Sequence, residues 1–286
     1  MLLHIKDSRV IAFLGFLICC LGIYANDTLD IHINSGKHLL FDSTEIACKS
    51  FNNSNYFEYN GGVFKTSPGL KLLHISNNDS LSHSISLPTL GISLKLSQGN
   101  DTFISVNLER GTYVLKEESH NQSYLGLQGL IVAREQNENS FQWNLKEFQK
   151  QFNSKIFSSE NVNFAEYDPR YFMVNGRSNP NINGDTLAAV QGMVGDTIYI
   201  DILNSGNSIH SLHFHGYHFF IENSNKRTEV VGWEKDTYGL VPGELLKIKI
   251  IPHQPGKYPV HDHNLVATTG NLVYPNGMFT TLDIKE

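Results

Sequence analysis

From Tyr171 to Ile284 the chain repeats one pattern: four to seven apolar or β-branched residues, then a break at Gly, Pro, Asn or Asp. The runs are Tyr171–Val174, Thr197–Leu203, Ser211–His215, Phe219–Glu222, Leu245–Ile251, Lys257–His261 and Met278–Ile284. Turn signals fall between them at Gly195-Asp196, Val241-Pro242-Gly243 and Gln254-Pro255-Gly256. Strands this short and this evenly punctuated suit β-sandwiches, not an α/β fold. The first half follows suit with Leu70–Ile75, Ser84–Leu87, Thr102–Leu108, Thr112–Leu115 and Leu127–Ala133. Between the halves, Phe141–Ile156 carries apolar residues at helical spacing and is expected to form a short connecting helix, with residues 157–168 as linker. The sequence therefore predicts an all-β chain of two sandwich domains, 26–140 and 169–286, joined through 141–168. The halves share loosely similar landmarks, a hint of duplication.

Net charge of −6 supplies no basic stripe for phosphates and argues against nucleic acid as a partner. Residues 1–25 read as a signal peptide: Lys6 and Arg9, then an apolar run Val10–Ile23, then the small residue Ala25. That run falls short of the ~20 residues a bilayer requires, so no stable membrane span is expected after cleavage. A secreted or periplasmic location follows. Removal of the leader would leave Cys48 as the one cysteine, so no internal disulfide is expected.

Seven of the 13 histidines fall between His210 and His263. In the run His210-Ser-Leu-His213-Phe-His215-Gly216, strand periodicity puts His213 and His215 on one face and Leu212 and Phe214 on the other. His261-Asp262-His263 repeats the arrangement. Two such pairs on neighbouring strands would converge four imidazoles. That donor set suits copper first and zinc as the alternative. His218 falls on the opposite face and His253 in a turn, so neither is expected to be a ligand.

These segments resemble the multicopper oxidases, in their laccase and nitrite-reductase-like forms. His210 to Gly216 is similar to the family's His-X-X-His-X-His-Gly element, and Lys257 to His263 to its closing His-Cys-His element. Asp236-Thr237, Leu240 to Glu244, Phe172 to Gly176 and Gly195-Asp196-Thr197 fit further family segments. The resemblance implies two cupredoxin-like Greek-key sandwiches, with His213, His215, His261 and His263 at copper-cluster positions and His210 at the blue-copper position. It also implies departures. Asp262 stands where the family has the blue-copper cysteine, and Ala267 where it has a second blue-site histidine. Without a thiolate no blue site is expected; Asp262, facing His210, is expected to form an ion pair with it. In the first half, Gly111-Thr112-Tyr113, Glu118-Ser119-His120 and Gly126 to Val132 resemble a first domain that has lost most ligands. His120 is retained as a weaker metal candidate, as is His210, and His83 is expected to be a turn residue.

The resulting expectation is an exported copper-binding protein, acting as a non-blue oxidoreductase on a small reductant. The alternatives are a copper store or carrier without catalysis, a metal-free scaffold, and a zinc hydrolase with Glu118 as its base. By analogy with two-domain relatives, a homotrimer is the expected assembly.

Overall fold

Strict alternation builds the sheets. In Leu245–Ile250, Leu246, Ile248 and Ile250 are buried while Lys247 and Lys249 take the other face, Lys249 pairing with Glu222 at 2.7 Å. Each aliphatic side chain buried this way contributes ~1.5–3 kcal/mol. A computed structural model describes residues 28–135 and 138–286; the expected signal peptide, 1–25, lies outside the described residues.

The first half contains β1 (Thr28–Leu39), β2 (Glu45–Asn52), β3 (Val63–Thr66), β4 (Gly69–Asn77) and β5 (His83–Leu87). It continues with β6 (Ile92–Leu96), β7 (Asp101–Leu108), β8 (Gly111–Glu117) and β9 (Gln128–Ala133). These form two sheets, ordered β2-β1-β4-β7 and β3-β9-β8-β5-β6. The second half begins with β10 (Ser140–Phe148), β11 (Tyr171–Val174), β12 (Gln191–Met193), β13 (Ile198–Asn204) and β14 (His210–Phe214). It ends with β15 (Phe219–Ser224), β16 (Glu234–Lys235), β17 (Thr237–Leu240), β18 (Leu245–Ile250), β19 (Gly256–Asp262) and β20 (Phe279–Lys285). Its sheets are ordered β11-β10-β13-β18-β15-β16 and β12-β20-β19-β14-β17. The chain is all-β in two sandwiches.

The two halves repeat one topology. β1 is antiparallel to β2 and parallel to β4, as β10 is to β11 and β13. β3 runs parallel to β9, as β12 does to β20. β8 lies between β9 and β5, as β19 lies between β20 and β14. Each sandwich has its own core, one around Ile33, Leu73 and Leu115, the other around Trp143, Ile200 and Ile248.

The connecting helix expected over Phe141–Ile156 is corrected. Ser140–Phe148 is a strand, pairing with β11 and β13, and only Lys150–Phe157 is helical. The segment superimposes two periods: Trp143 and Leu145 alternate into the second core, whereas Phe152 and Ile156 recur at four-residue spacing. The second sandwich thus begins at Ser140, not at 169.

Between the sandwiches, Cys48, Tyr59 and Tyr124 of the first half pack with Phe148, Phe152 and Met173 of the second. The buried Arg134 Nη2 reaches both oxygens of Asp201 at 2.7 and 2.9 Å. Gly176, at φ 74°, lets the Tyr59 carbonyl approach so closely that a Cβ would lie 2.0 Å from it. The junction is packed backbone against backbone.

Candidate metal centre

β14 pairs antiparallel with β19 in a register that sets His213 directly opposite His261 and Leu212 opposite Asp262. One face of this pair carries His213, His215, His261 and His263; the other buries His210, Leu212, Phe214 and Asp262. Ring centroids of His213 lie 4.7 Å from His215 and 5.8 Å from both His261 and His263, and His215 lies 5.1 Å from His261. All four predicted imidazoles are gathered. His215 and His263 are exposed, so the cluster opens to solvent.

Hydrogen bonds fix two of the rings. His213 Nδ1 lies 2.7 Å from Thr237 Oγ1, and His261 Nδ1 donates to the Asp262 carbonyl at 2.9 Å. An imidazole held at Nδ1 offers Nε2 as its ligand atom, the usual arrangement of outer partners around metal-binding histidines. His215 Nε2 and His261 Nε2 face each other at 3.0 Å. Two nitrogens so close can share one ion at the ~2.0–2.1 Å of a zinc–imidazole bond. Partial burial, then the neighbouring His213 and His261, lowers the pKa of His215 and favours the neutral form a metal requires. Among the described residues, no three His, Cys, Asp or Glu side chains already surround a common point. The strand register fixes where the rings stand, and the Nδ1 partners of His213 and His261 fix how those two are turned. The donor set fits copper.

The turn after His215 depends on Gly216. At φ 77°, a Cβ there would lie 2.2 Å from Tyr258 Cδ1 on β19. Glycine lets the turn from β14 to β15 close against that ring.

The weaker candidates sit apart. His210 is buried with both nitrogens committed, Nδ1 to Asp262 Oδ2 at 2.7 Å and Nε2 to Glu147 Oε2 at 2.9 Å. It offers no lone pair to a metal in this arrangement. Burial opposes charge on His210, but bonding to Asp262 and Glu147 outweighs it and lifts the pKa to about 9. Burial likewise opposes charge on Glu147, yet His210 and Lys146 hold its carboxyl below the ordinary value. His120 packs edge-on against Phe164 at 4.7 Å and contacts none of the four imidazoles. Glu118 faces Lys116 at 3.8 Å. His218 and His253 are exposed, His253 lying against Tyr217.

His83 is a correction: it is a strand residue, not a turn residue. It is buried at the start of β5, with Nδ1 2.9 Å from Glu117 and Nε2 2.7 Å from Asp79. Sequence reasoning also missed Glu147, hidden inside the expected helix, and Tyr167, whose hydroxyl donates to Glu147 Oε1 at 3.2 Å.

Residues 149–275 match the family model for multicopper oxidases. That stretch is similar to a multicopper oxidase domain. No curated protein matches the chain in sequence. Solved structures extend the likeness across both sandwiches. A blue copper oxidase from Nitrosomonas europaea superposes with a TM-score of 0.74 at 16% identity, over 90% of this chain and 85% of its own. A copper nitrite reductase from the same organism gives 0.66 at 13%, covering 91% and 94%. A copper-containing nitrite reductase from Thermus scotoductus gives 0.64 at 17%, covering 90% and 61%. At these identities the likeness is one of fold.

Proposed function

We propose that the chain is an exported copper-binding protein of multicopper-oxidase type, working as a non-blue oxidoreductase on a small reductant. Copper would be held by His213, His215, His261 and His263. The observation that carries this is the β14–β19 register, which brings His213 opposite His261 and both pairs to one face. The multicopper oxidase match favours copper over the zinc alternative.

When bound, copper supplies one-electron chemistry at open coordination positions. The chain's own contribution is to hold His213 and His261 by Nδ1, through Thr237 and the Asp262 carbonyl, so that Nε2 is left for the metal. Occupation of the His210–Asp262 position by an ion pair supports a site that lacks a blue partner. The reductant would meet the copper face directly, since His215 and His263 are exposed. Exposed Leu265 and Val266, which follow His263 in the chain, would suit an apolar reductant or a further copy of the chain in a trimer. Among the described residues no helix is long and apolar enough to cross a membrane.

Metal analysis with visible and electron-spin spectra of the purified protein tests the proposal. Stoichiometric copper without an intense band near ~600 nm is expected from nitrogen ligation without a thiolate. Absence of tight copper would overturn it. Copper binding without oxidation of any small reductant would favour a storage or carrier role.

A further inference from the structure

The two sandwiches each bury a histidine between two carboxylates, and the two arrangements are equivalent. His83 and His210 both open the strand that pairs with the penultimate strand of their domain, β8 or β19. In each case the first carboxylate lies opposite the residue two positions after the histidine: Glu117 opposite Ile85, Asp262 opposite Leu212. Each accepts the amide of the residue after its histidine, Ser84 at 3.1 Å and Ser211 at 3.2 Å. Each also accepts the amide two residues beyond itself, Ser119 at 3.1 Å and Asn264 at 2.8 Å.

The second carboxylate has different origins. Asp79 and Gly206 hold the same place in matching turns, each donating its amide at 3.0 Å to the side chain of an asparagine two residues earlier, Asn77 or Asn204. The first domain uses the Asp79 side chain itself. In the second, Gly206 has no side chain, and Glu147 reaches into that space from β10. The pattern His between two carboxylates is therefore built twice, from different residues.

Only one copy adjoins the four gathered imidazoles. Glu117 is flanked by Lys116 and Glu118, which face each other, whereas Asp262 is flanked by His261 and His263. We propose that Glu147, His210 and Asp262 are positioning residues for the His261–His263 element, clamping it from the buried side so that its imidazoles stand outward. The inference rests on the copper site proposed above. The path is continuous: Glu147 holds His210, His210 holds the Asp262 carboxylate, and the Asp262 carbonyl holds His261 Nδ1. Asp262 thus works from both ends, with its carboxylate anchored inside and its carbonyl fixing which nitrogen of His261 faces the site.

The test compares Asp262→Asn with Glu117→Gln in the full chain; the second variant disturbs the equivalent clamp in the other sandwich. In the metal-free protein, long-range nitrogen–proton spectra should show His261 locked with its proton on Nδ1. That lock should give way to mixed tautomers in Asp262→Asn and persist in Glu117→Gln. Copper(II) affinity should fall about 10–100-fold in Asp262→Asn, as for loss of other outer partners of metal-binding histidines, and hold in Glu117→Gln. Glu147→Gln, which leaves Asp262 in place, should shift both readings the same way and serves if Asp262→Asn does not fold. Unchanged His261 signals in these variants, or equal changes in Glu117→Gln, would overturn the inference. A wild-type chain that takes up no copper would sink the proposed function alone, since the His261 spectrum still decides the clamp's role.

Discussion

Glu147 Oε2 fills the space beside Gly206, where a Cβ would lie 1.7 Å from it. The carboxylate cannot easily withdraw. It accepts Asn207 N at 2.6 Å, Ser208 N at 2.8 Å, Tyr167 Oη at 3.2 Å and His210 Nε2 at 2.9 Å. Gly206→Ala should therefore cost ~1–3 kcal/mol, the range for overpacking a well-filled interior. Urea unfolding of the two proteins measures it, and a neutral result would mean that Glu147 has room to move.

The first domain suggests a repair. Glu147→Ala should cost at least ~1–3 kcal/mol by leaving the buried His210 Nε2 and the Asn207 and Ser208 amides without their acceptor. Adding Gly206→Asp copies the place of Asp79 and should restore at least ~1 kcal/mol of that loss. A double-mutant cycle isolates the coupling; strictly additive losses would deny that the two turns are equivalent.

Stability should decline on the alkaline side. His210 has its pKa raised from 6.5 to about 9, so its contribution is fully present below pH 6.5 and is lost as pH rises through about 9. The loss is at most about 3 kcal/mol. His83 is also raised, because Asp79 and Glu117 override the effect of burial, and it adds to the same limb. Glu147 acts in the other direction: its lowered pKa gives stability present above pH 4.5 and lost on acidification. Unfolding free energies at pH 6 and pH 9.5 should differ markedly in the wild type and less in His210→Gln.

His213→Ala and His261→Ala should each abolish tight copper uptake, read by equilibrium dialysis. Thr237→Val removes only the partner of His213 Nδ1 and should weaken binding about 10-fold. His120→Ala, at a residue packed on Phe164, should leave uptake unchanged.

The two-sandwich architecture was legible because strands such as β18 alternate cleanly, and because the histidine pairs announce their own face by period-two spacing. β1 escaped notice because its buried Ile31 and Ile33 are separated and flanked by His32, Asn34 and Ser35, leaving little hydrophobic contrast. β10 was misassigned because a period-two stretch runs straight into a period-3.6 stretch, and the sum mimics one helix. The ion pair of Asp262 with His210 could be argued from the cost of burying a lone carboxylate. Its second half could not: Glu147 comes from 63 residues upstream, on a strand whose parallel pairing with β13 is a long-range one. Asp79, four residues before His83, was nearer at hand, but nothing local distinguishes it from a solvated turn acid.

Cys48 lies sealed in the junction, and burial pushes its thiol well above the ordinary cysteine pKa. Among the described residues, then, the folded chain presents no thiolate to air, peroxide or a passing metal ion. A cysteine engineered onto any exposed loop would be their sole attachment point for a spin label or fluorophore. The native residue could stay where it is.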